Sequence, residues 1–345
     1  MSKSNLGKTP EKLFQPDGSP NFGNFTGPTP ILNFEDFDFQ GLHRWPWTID
    51  ANLAAKLLKR WEFVGVMDEN FVVGAAVVHL NYVGSGFAYC YDKRSKRIVE
   101  KNIKAPFCMN TSFSPSAQEG VSEIRVGTSF IRMNNSVKNG QRELEMDFGP
   151  DLRAKFTYSE LGEGVSTCTR QAMYGFGYTY KSAALPSKGT VTIDGEELSL
   201  APDALALLDW SAATPPRVTV WNWAAGMGKD KQGKTVGINF SSGLIAGGFN
   251  ENTVWVDGKP HMMDGVHFDY DQKDVTSRPW RITSNNKEVD ITFHPEHERY
   301  EKVNFGLVAS SLHQPFGRFE GSIKLGKTKL ALDCYGFCEE HYAKW

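Results

Sequence analysis

An all-β protein, built as two antiparallel barrels or sandwiches in tandem with one short helix near the N-terminus, is the fold class this sequence predicts. Runs such as SEIRVGTSFIRM and RELEMDF alternate polar and apolar residues over strand length, as strands with one wet face do. Asp194-Gly195 and Asp257-Gly258 stand between such runs, where a two-residue hairpin turn needs residues that tolerate positive φ. The pattern also restarts after the small, Pro-containing stretch SAALPSKG, so the chain of 345 residues holds two meanders of similar size.

In chain order, Met1 to Pro30 is rich in Gly, Pro, Ser and Asn without periodicity and reads as an extended arm, residues 1–30. Between Asp50 and Trp61 the apolar positions Leu53, Leu57, Leu58 and Trp61 recur at helical spacing, with Lys56, Lys59 and Arg60 on the other face. From there β signals dominate: WEFVGVM, FVVGAAVVHLNYV, FAYCY and RIVEKNI are joined by short turns, so neighbours should pair in order. A first β domain is expected over residues 31–187 and a second over 188–345, with the change near Ala183 to Lys188.

Charge and composition exclude several classes of function. A formal net charge of −2 with 23% charged residues offers no dense basic surface, so nucleic acid is not an expected partner. The longest apolar stretch, Phe71 to Val83, is broken by His79 and Asn81 and falls short of the roughly 20 residues of a membrane-spanning helix. No apolar segment follows the N-terminal lysines, which argues for a cytoplasmic protein. The five cysteines, Cys90, Cys108, Cys168, Cys334 and Cys338, are scattered and form no CxxC pair, so reduced thiols are expected rather than disulfides or structural zinc. No phosphate-binding or dinucleotide loop occurs, and no cofactor is expected.

The most specific local signal is ALLDWSAATPPRVTVWNWAAG. Strand alternation puts Trp221 and Trp223 on one face and Asn222 on the other, where the indoles either line a pocket or fill a core. Asp209, beside Trp210 at the end of the run ALALL, is costly to bury without a partner. It either caps a turn through Ser211 or faces a cavity, where it would be the candidate catalytic acid. In DGVHFDYD, His267 and Asp269 share a strand face, as a proton-transferring pair or as a polar pair on a rim; they are expected near Trp221 and Trp223. His313, in HQPFGRFEG, is a further candidate ligand contact, and Arg318 and Glu320 are expected to pair with each other. Glu339 shares a face with His341 if CEEHY is a strand. FHPEHE lacks the helical spacing of a zinc site and reads as a solvated strand end, so no metal is expected. The loop NFEDFDFQGLHRWPW, dense in aromatics and charges, is expected to fold across a pocket mouth.

RWPW, ALLDWS, WNWAAG, GVHFDY, VDITFHP, HQPFGRFEG and GFCEEHYAKW together resemble an uncharacterised bacterial family, the domain of unknown function 2804. More distantly, the stretch from GTVTIDGEELSL through LLDWS and WNW is similar to the lipocalin-related superfamily containing carotenoid 1,2-hydratase. That resemblance implies two lipocalin-like barrels, an apolar ligand, and an acidic residue near the inter-domain cavity at the position of Asp209; Ser211 departs from the further charged residues found there in that superfamily. Three readings follow. The chain binds an apolar lipid, isoprenoid or hydrocarbon in an aromatic-lined cavity using Trp210, Trp221, Trp223, His267, Asp269, His313 and Glu339. Alternatively it is a cofactor-free hydratase or isomerase with Asp209 as general acid, or a structural or glycan-binding module with its aromatics on a flat surface.

Overall fold

The computed structural model describes residues 6–39, 57–136, 140–160, 162–172, 174–243, 248–304 and 306–345. These form two antiparallel sheets and a single-turn 3-10 helix, Phe34–Asp36. In the first sheet, Arg97–Pro106, Val83–Asp92, Phe71–His79 and Lys59–Met67 pair in reverse chain order. Lys59–Met67 then pairs with Leu205–Ala213, which leads through Gly175–Ile193 to a second meander running from Leu152–Ser159 back to Thr111–Ser112. The second sheet runs Lys259–Met262, Thr253–Val256, Thr235–Ser242, Val218–Lys229, Thr328–Lys344, Ala309–Leu325, Val289–Asn304, Trp280–Ser284 and Val266–Asp269. It curls until its last strand lies against Thr235–Ser242. Both Asp-Gly pairs form the expected hairpin turns, with φ of 52° and 85° at Asp194-Gly195 and 48° and 77° at Asp257-Gly258.

Alternation gives each sheet an inner and an outer face. Inside the first barrel lie Val64, Val73, Cys90, Ile131, Met146, Phe156, Tyr178 and Trp210; inside the second lie Ile238, Trp280, Ile291, Phe293 and Phe319. A third buried cluster draws from both sheets: Phe63, Tyr89 and Leu207 from the first meet Trp223, Phe316 and Phe337 from the second. The outer faces of the two barrels therefore pack on each other, and that seam is as buried as either interior.

Several expectations are corrected. Residues 50–56 of the expected helix lie outside the described residues, but its end does not: Lys59–Met67 is a strand paired on both sides, and Trp61 stacks on Trp345 at 6.4 Å. Two flanking partners satisfy both edges of that backbone, which overrides a local helical spacing. The arm is not separate from the first barrel, because Gly23–Thr26 pairs with Val165–Gln171 and Leu13 and Phe14 are buried in the barrel core. Nor does the chain change sheets at Ala183 to Lys188. That stretch belongs to the long strand Gly175–Ile193, kinked by a register shift between Ser182 and Leu185, and the change falls between Ala213 and Val218. Ala183 and Ala184 are small because they press on the second sheet: a Cβ at Gly237 would come within 2.8 Å of Ala183 Cβ. Of the aromatic loop, Phe34, Phe37 and Phe39 pack around Phe14 and Phe176, while His43, Arg44, Trp45 and Trp47 lie outside the described residues.

Candidate functional site

Asp209 and Trp210 are neighbours in one strand, and the strand separates them. Trp210 sits opposite Glu62 and faces the first barrel's interior; Asp209 sits opposite Phe63 on one side and Lys181 on the other, facing the seam. Lys181 Nζ stands 2.6 Å from Asp209 Oδ2 and 3.7 Å from Glu251 Oε1, and all three side chains are less than a tenth exposed. Ser211 donates its hydroxyl to Asp209 Oδ1 at 2.7 Å. Asp209 thus does bond Ser211, but in mid-strand rather than as a turn cap.

Burial raises the Asp209 carboxyl above its ordinary range, and the charge of Glu251 adds to this; Lys181 and Ser211 act against it. For Lys181, burial works to strip the proton, but Asp209 and Glu251 outweigh it and hold the ammonium above its usual range. One cation thus serves two carboxylates in a buried seam, which makes the cluster expensive to keep.

The second barrel supplies the aromatic wall. Trp223 is buried, its ring centroid 4.6 Å from Lys181 Nζ, and its Nε1 donates to Asn239 Oδ1 at 2.7 Å. Trp221, on the same strand face, donates Nε1 to Glu339 Oε1 at 2.8 Å. Glu339 also accepts from Gln314 Nε2 at 3.1 Å, and its charge reaches Lys181. CEEHY is indeed strand, and Glu339 lies 3.3 Å from His341 Nδ1, whose ring packs on Trp221 at 4.2 Å. Asn222, facing the other way, bonds Tyr270 at 2.9 Å.

The fold therefore brings Asp209, Trp221, Trp223 and Glu339 to one seam and leaves Trp210, His267, Asp269 and His313 away from it. His267 and Asp269 are exposed, the first 3.0 Å from Asn285 and the second paired with Arg278 at 2.6 Å. In that short edge strand Val266 and Phe268 take the inner face, so alternation sends His267 and Asp269 to solvent. His313 is half-buried on the face opposite Phe316 and pairs with Glu298 at 2.5 Å. Arg318 and Glu320 pair across strands rather than with each other, with Asp333 at 2.6 Å and His294 at 2.9 Å.

Two functional candidates were missed by sequence reasoning. Lys181 is the one cation in the strand-forming run GFGYTYKSAAL, a signal that was available; Glu251, in a loop, carried none. A separate polar cluster fills the first barrel. Glu62, fully buried, accepts from Ser122 at 2.5 Å and Asn135 at 2.6 Å, while Ser114 Oγ accepts from Trp210 Nε1 at 2.8 Å. Arg142, with its side chain wholly buried, joins Asn135 at 3.1 Å to Glu160 at 2.9 Å. Burial pushes the Glu62 carboxyl up to about 7 despite these donors.

Similar folds occur among solved structures. CghA, crystallised with Sch210972, matches with a TM-score of 0.53 at 11% identity over 83% of this chain and 88% of its own. Kievitone hydratase from Nectria haematococca matches with a TM-score of 0.55 at 11% identity over 82% of this chain and 88% of its own. At such identities the likeness establishes the fold alone. No curated protein matches the sequence. The family described as Domain of unknown function (DUF2804) matches residues 5–345, and the chain, with its two barrels packed through an aromatic and ionic seam, belongs to that family.

Proposed function

We propose that this chain binds an apolar small molecule, a lipid, isoprenoid or hydrocarbon compound, at the seam between its barrels, against Trp221 and Trp223 with Lys181, Asp209 and Glu339 as polar contacts. The observation that carries this is the Lys181–Asp209 pair, buried beneath the Trp223 ring. A buried ion pair is seldom worth more to stability than apolar residues of the same volume, so its retention beside an aromatic wall fits recognition of a ligand. A flat glycan-binding surface fits less well, since Trp223 is only 8% exposed. The four buried free cysteines suit the cytoplasm as the compartment of this binding.

A second reading has its own support. The Asp209 carboxyl is raised by burial, a condition for a general acid, and a protein of the same fold is named a hydratase. Acid-catalysed hydration or isomerisation at Asp209 is therefore the alternative to plain binding. Native mass spectrometry of protein purified from its own host, followed by extraction and identification of bound lipid, tests the first reading. Protein that carries no apolar compound, and whose tryptophan fluorescence no lipid perturbs, would end it. Turnover of the co-purified compound separates the second reading from the first.

A further inference from the structure

Antiparallel pairing gathers the strand ends of both sheets at two poles, and the poles differ in chemistry. At one, the connecting turns are residues 68–70, 93–96 and 230–234, which read DEN, KRSK and DKQGK. At the other, residues 80–82, 107–110, 214–217 and 306–308 hold no aspartate or glutamate. Register puts them together, since Ala213 lies opposite Lys59 and Val218 opposite Lys344. Phe107 N donates to Tyr82 O at 2.9 Å, Arg217 donates to the Leu307 carbonyl, and Lys344 Nζ donates to Gly306 O at 2.8 Å. Burial raises the Tyr82 hydroxyl and the charge of Arg217 acts against it, so the turns of the two sheets are neighbours. The three most exposed large apolar side chains of the described residues, Phe107, Leu307 and Met109, at 80%, 78% and 57%, all stand at this pole. Lys104, Arg217, Lys302 and Lys344 surround them and form no ion pair among the described residues, whereas Arg97, Arg153, Arg281 and Arg318 elsewhere each hold an aspartate.

We propose that this pole docks on an anionic lipid surface, with Phe107, Met109 and Leu307 entering the headgroup layer and Lys104, Arg217, Lys302 and Lys344 meeting lipid phosphates. Shape and charge both favour a bilayer. Apolar tips on separate turns, with basic side chains between them, suit a layer that admits single side chains to a depth of roughly 5–10 Å. A protein partner needs instead a contiguous patch whose centre is poor in charge. A second copy docked pole to pole would set the same cations against each other. Each basic side chain near an anionic membrane is worth about fivefold in binding, so four of them make the docking selective for charge. Among the described residues no helix is long and apolar enough to cross a membrane, and docking of this kind needs none. The proposal does not rest on ligand binding at the seam.

The full chain is tested by co-sedimentation with vesicles of pure phosphatidylcholine and of phosphatidylcholine with about 30% phosphatidylglycerol. Phe107→Ser/Leu307→Ser removes two tips, Lys104→Gln/Lys302→Gln removes two cations, and Lys96→Gln/Lys231→Gln at the opposite pole is the control. The native chain and the control should bind the mixed vesicles about 10-fold or more tighter than the neutral ones, and each of the other two variants should lose about 10-fold or more of that affinity. All four substituted positions are exposed, so Tm should stay within about 2 °C of the native value. The native chain alone supplies a second reading that no folding defect can confuse: its affinity for the mixed vesicles should fall about 10-fold between roughly 0.1 M and 0.5 M NaCl. No binding to mixed vesicles, or native affinity in either pole variant, overturns the proposal. A native chain that sediments as a dimer without vesicles, and as a monomer once Phe107 and Leu307 are serines, gives this pole to a second copy and overturns it equally.

Discussion

Lys181 lies directly across neighbouring strands from Asp209, and its Nζ stands 2.6 Å from Oδ2 at the seam of the two barrels. The binding reading depends on whether that pair is there for folding or for a ligand.

The two roles separate in a mutant cycle. Asp209→Ala leaves Lys181 buried with Glu251 as its remaining close carboxylate and should cost about 3–5 kcal/mol; Lys181→Met should cost about as much. Lys181→Met with Asp209→Leu removes both charges and should recover most of that stability. If the pair serves a ligand, the double variant folds but loses binding. A stable double variant that still binds the co-purified compound at native affinity would reduce the pair to a structural device.

Glu62 gives the chain a pH dependence. Its folded carboxyl titrates near 7 because of burial, against 4.5 in the open chain, so the folded state holds more protons between those values. Stability from this group is therefore full below pH 4.5 and falls as the pH rises through 7, by about 3 kcal/mol in all. Glu62→Gln keeps the shape and cannot ionise. In urea melts its stability relative to the native chain should climb between pH 5 and pH 8; a constant difference across that range would show that Glu62 ionises normally.

Trp223 is both wall and core, so truncation to Ala would confuse the two roles by costing about 3–5 kcal/mol. Trp223→Phe keeps most of the apolar contact with Phe63 and Phe337 but loses the bond to Asn239 and much of the face presented to Lys181. Its expected effect is a modest loss of Tm with ligand affinity down by about 10-fold, measured by titration calorimetry. Equal affinity in the two proteins would move the ligand away from this indole.

How much of this was legible beforehand differs from residue to residue. The two Asp-Gly turns, and Trp221 and Trp223 on one face, were readable because hairpin φ and strand alternation are local properties. His267 and Asp269 were misplaced because alternation gives two faces without saying which is inner; Phe268 and Val266 decided that by burial. The change of sheet was misread at SAALPSKG, where small residues that press on Gly237 look like a linker. Glu251 meets Lys181 across 70 positions of sequence, and no local pattern announces a contact of that kind.

Arg299 ties the barrels together away from Lys181. Its side chain is wholly buried, with Nε and Nη2 donating to Glu100 Oε1 at 2.9 and 2.7 Å, and Nη2 lying 3.2 Å from Glu301. The guanidinium also stacks over Phe87 at 4.3 Å, so it fills the seam as well as charging it. Glu100 belongs to the first sheet's edge strand Arg97–Pro106 and Arg299 to Val289–Asn304 of the second sheet, so breaking the contact loosens one sheet from the other. Arg299→Ala should cost about 3–5 kcal/mol, through an uncompensated pair of carboxylates and a lost aromatic contact. Arg299→Lys keeps the charge without the fork and should recover only part of it. Being buried, the contact should resist screening, so the Arg299→Ala penalty in urea melts should be nearly the same in 0.1 M and 1 M NaCl. A penalty that vanishes in high salt would mean that the guanidinium is solvated and that the seam is held by its apolar residues alone.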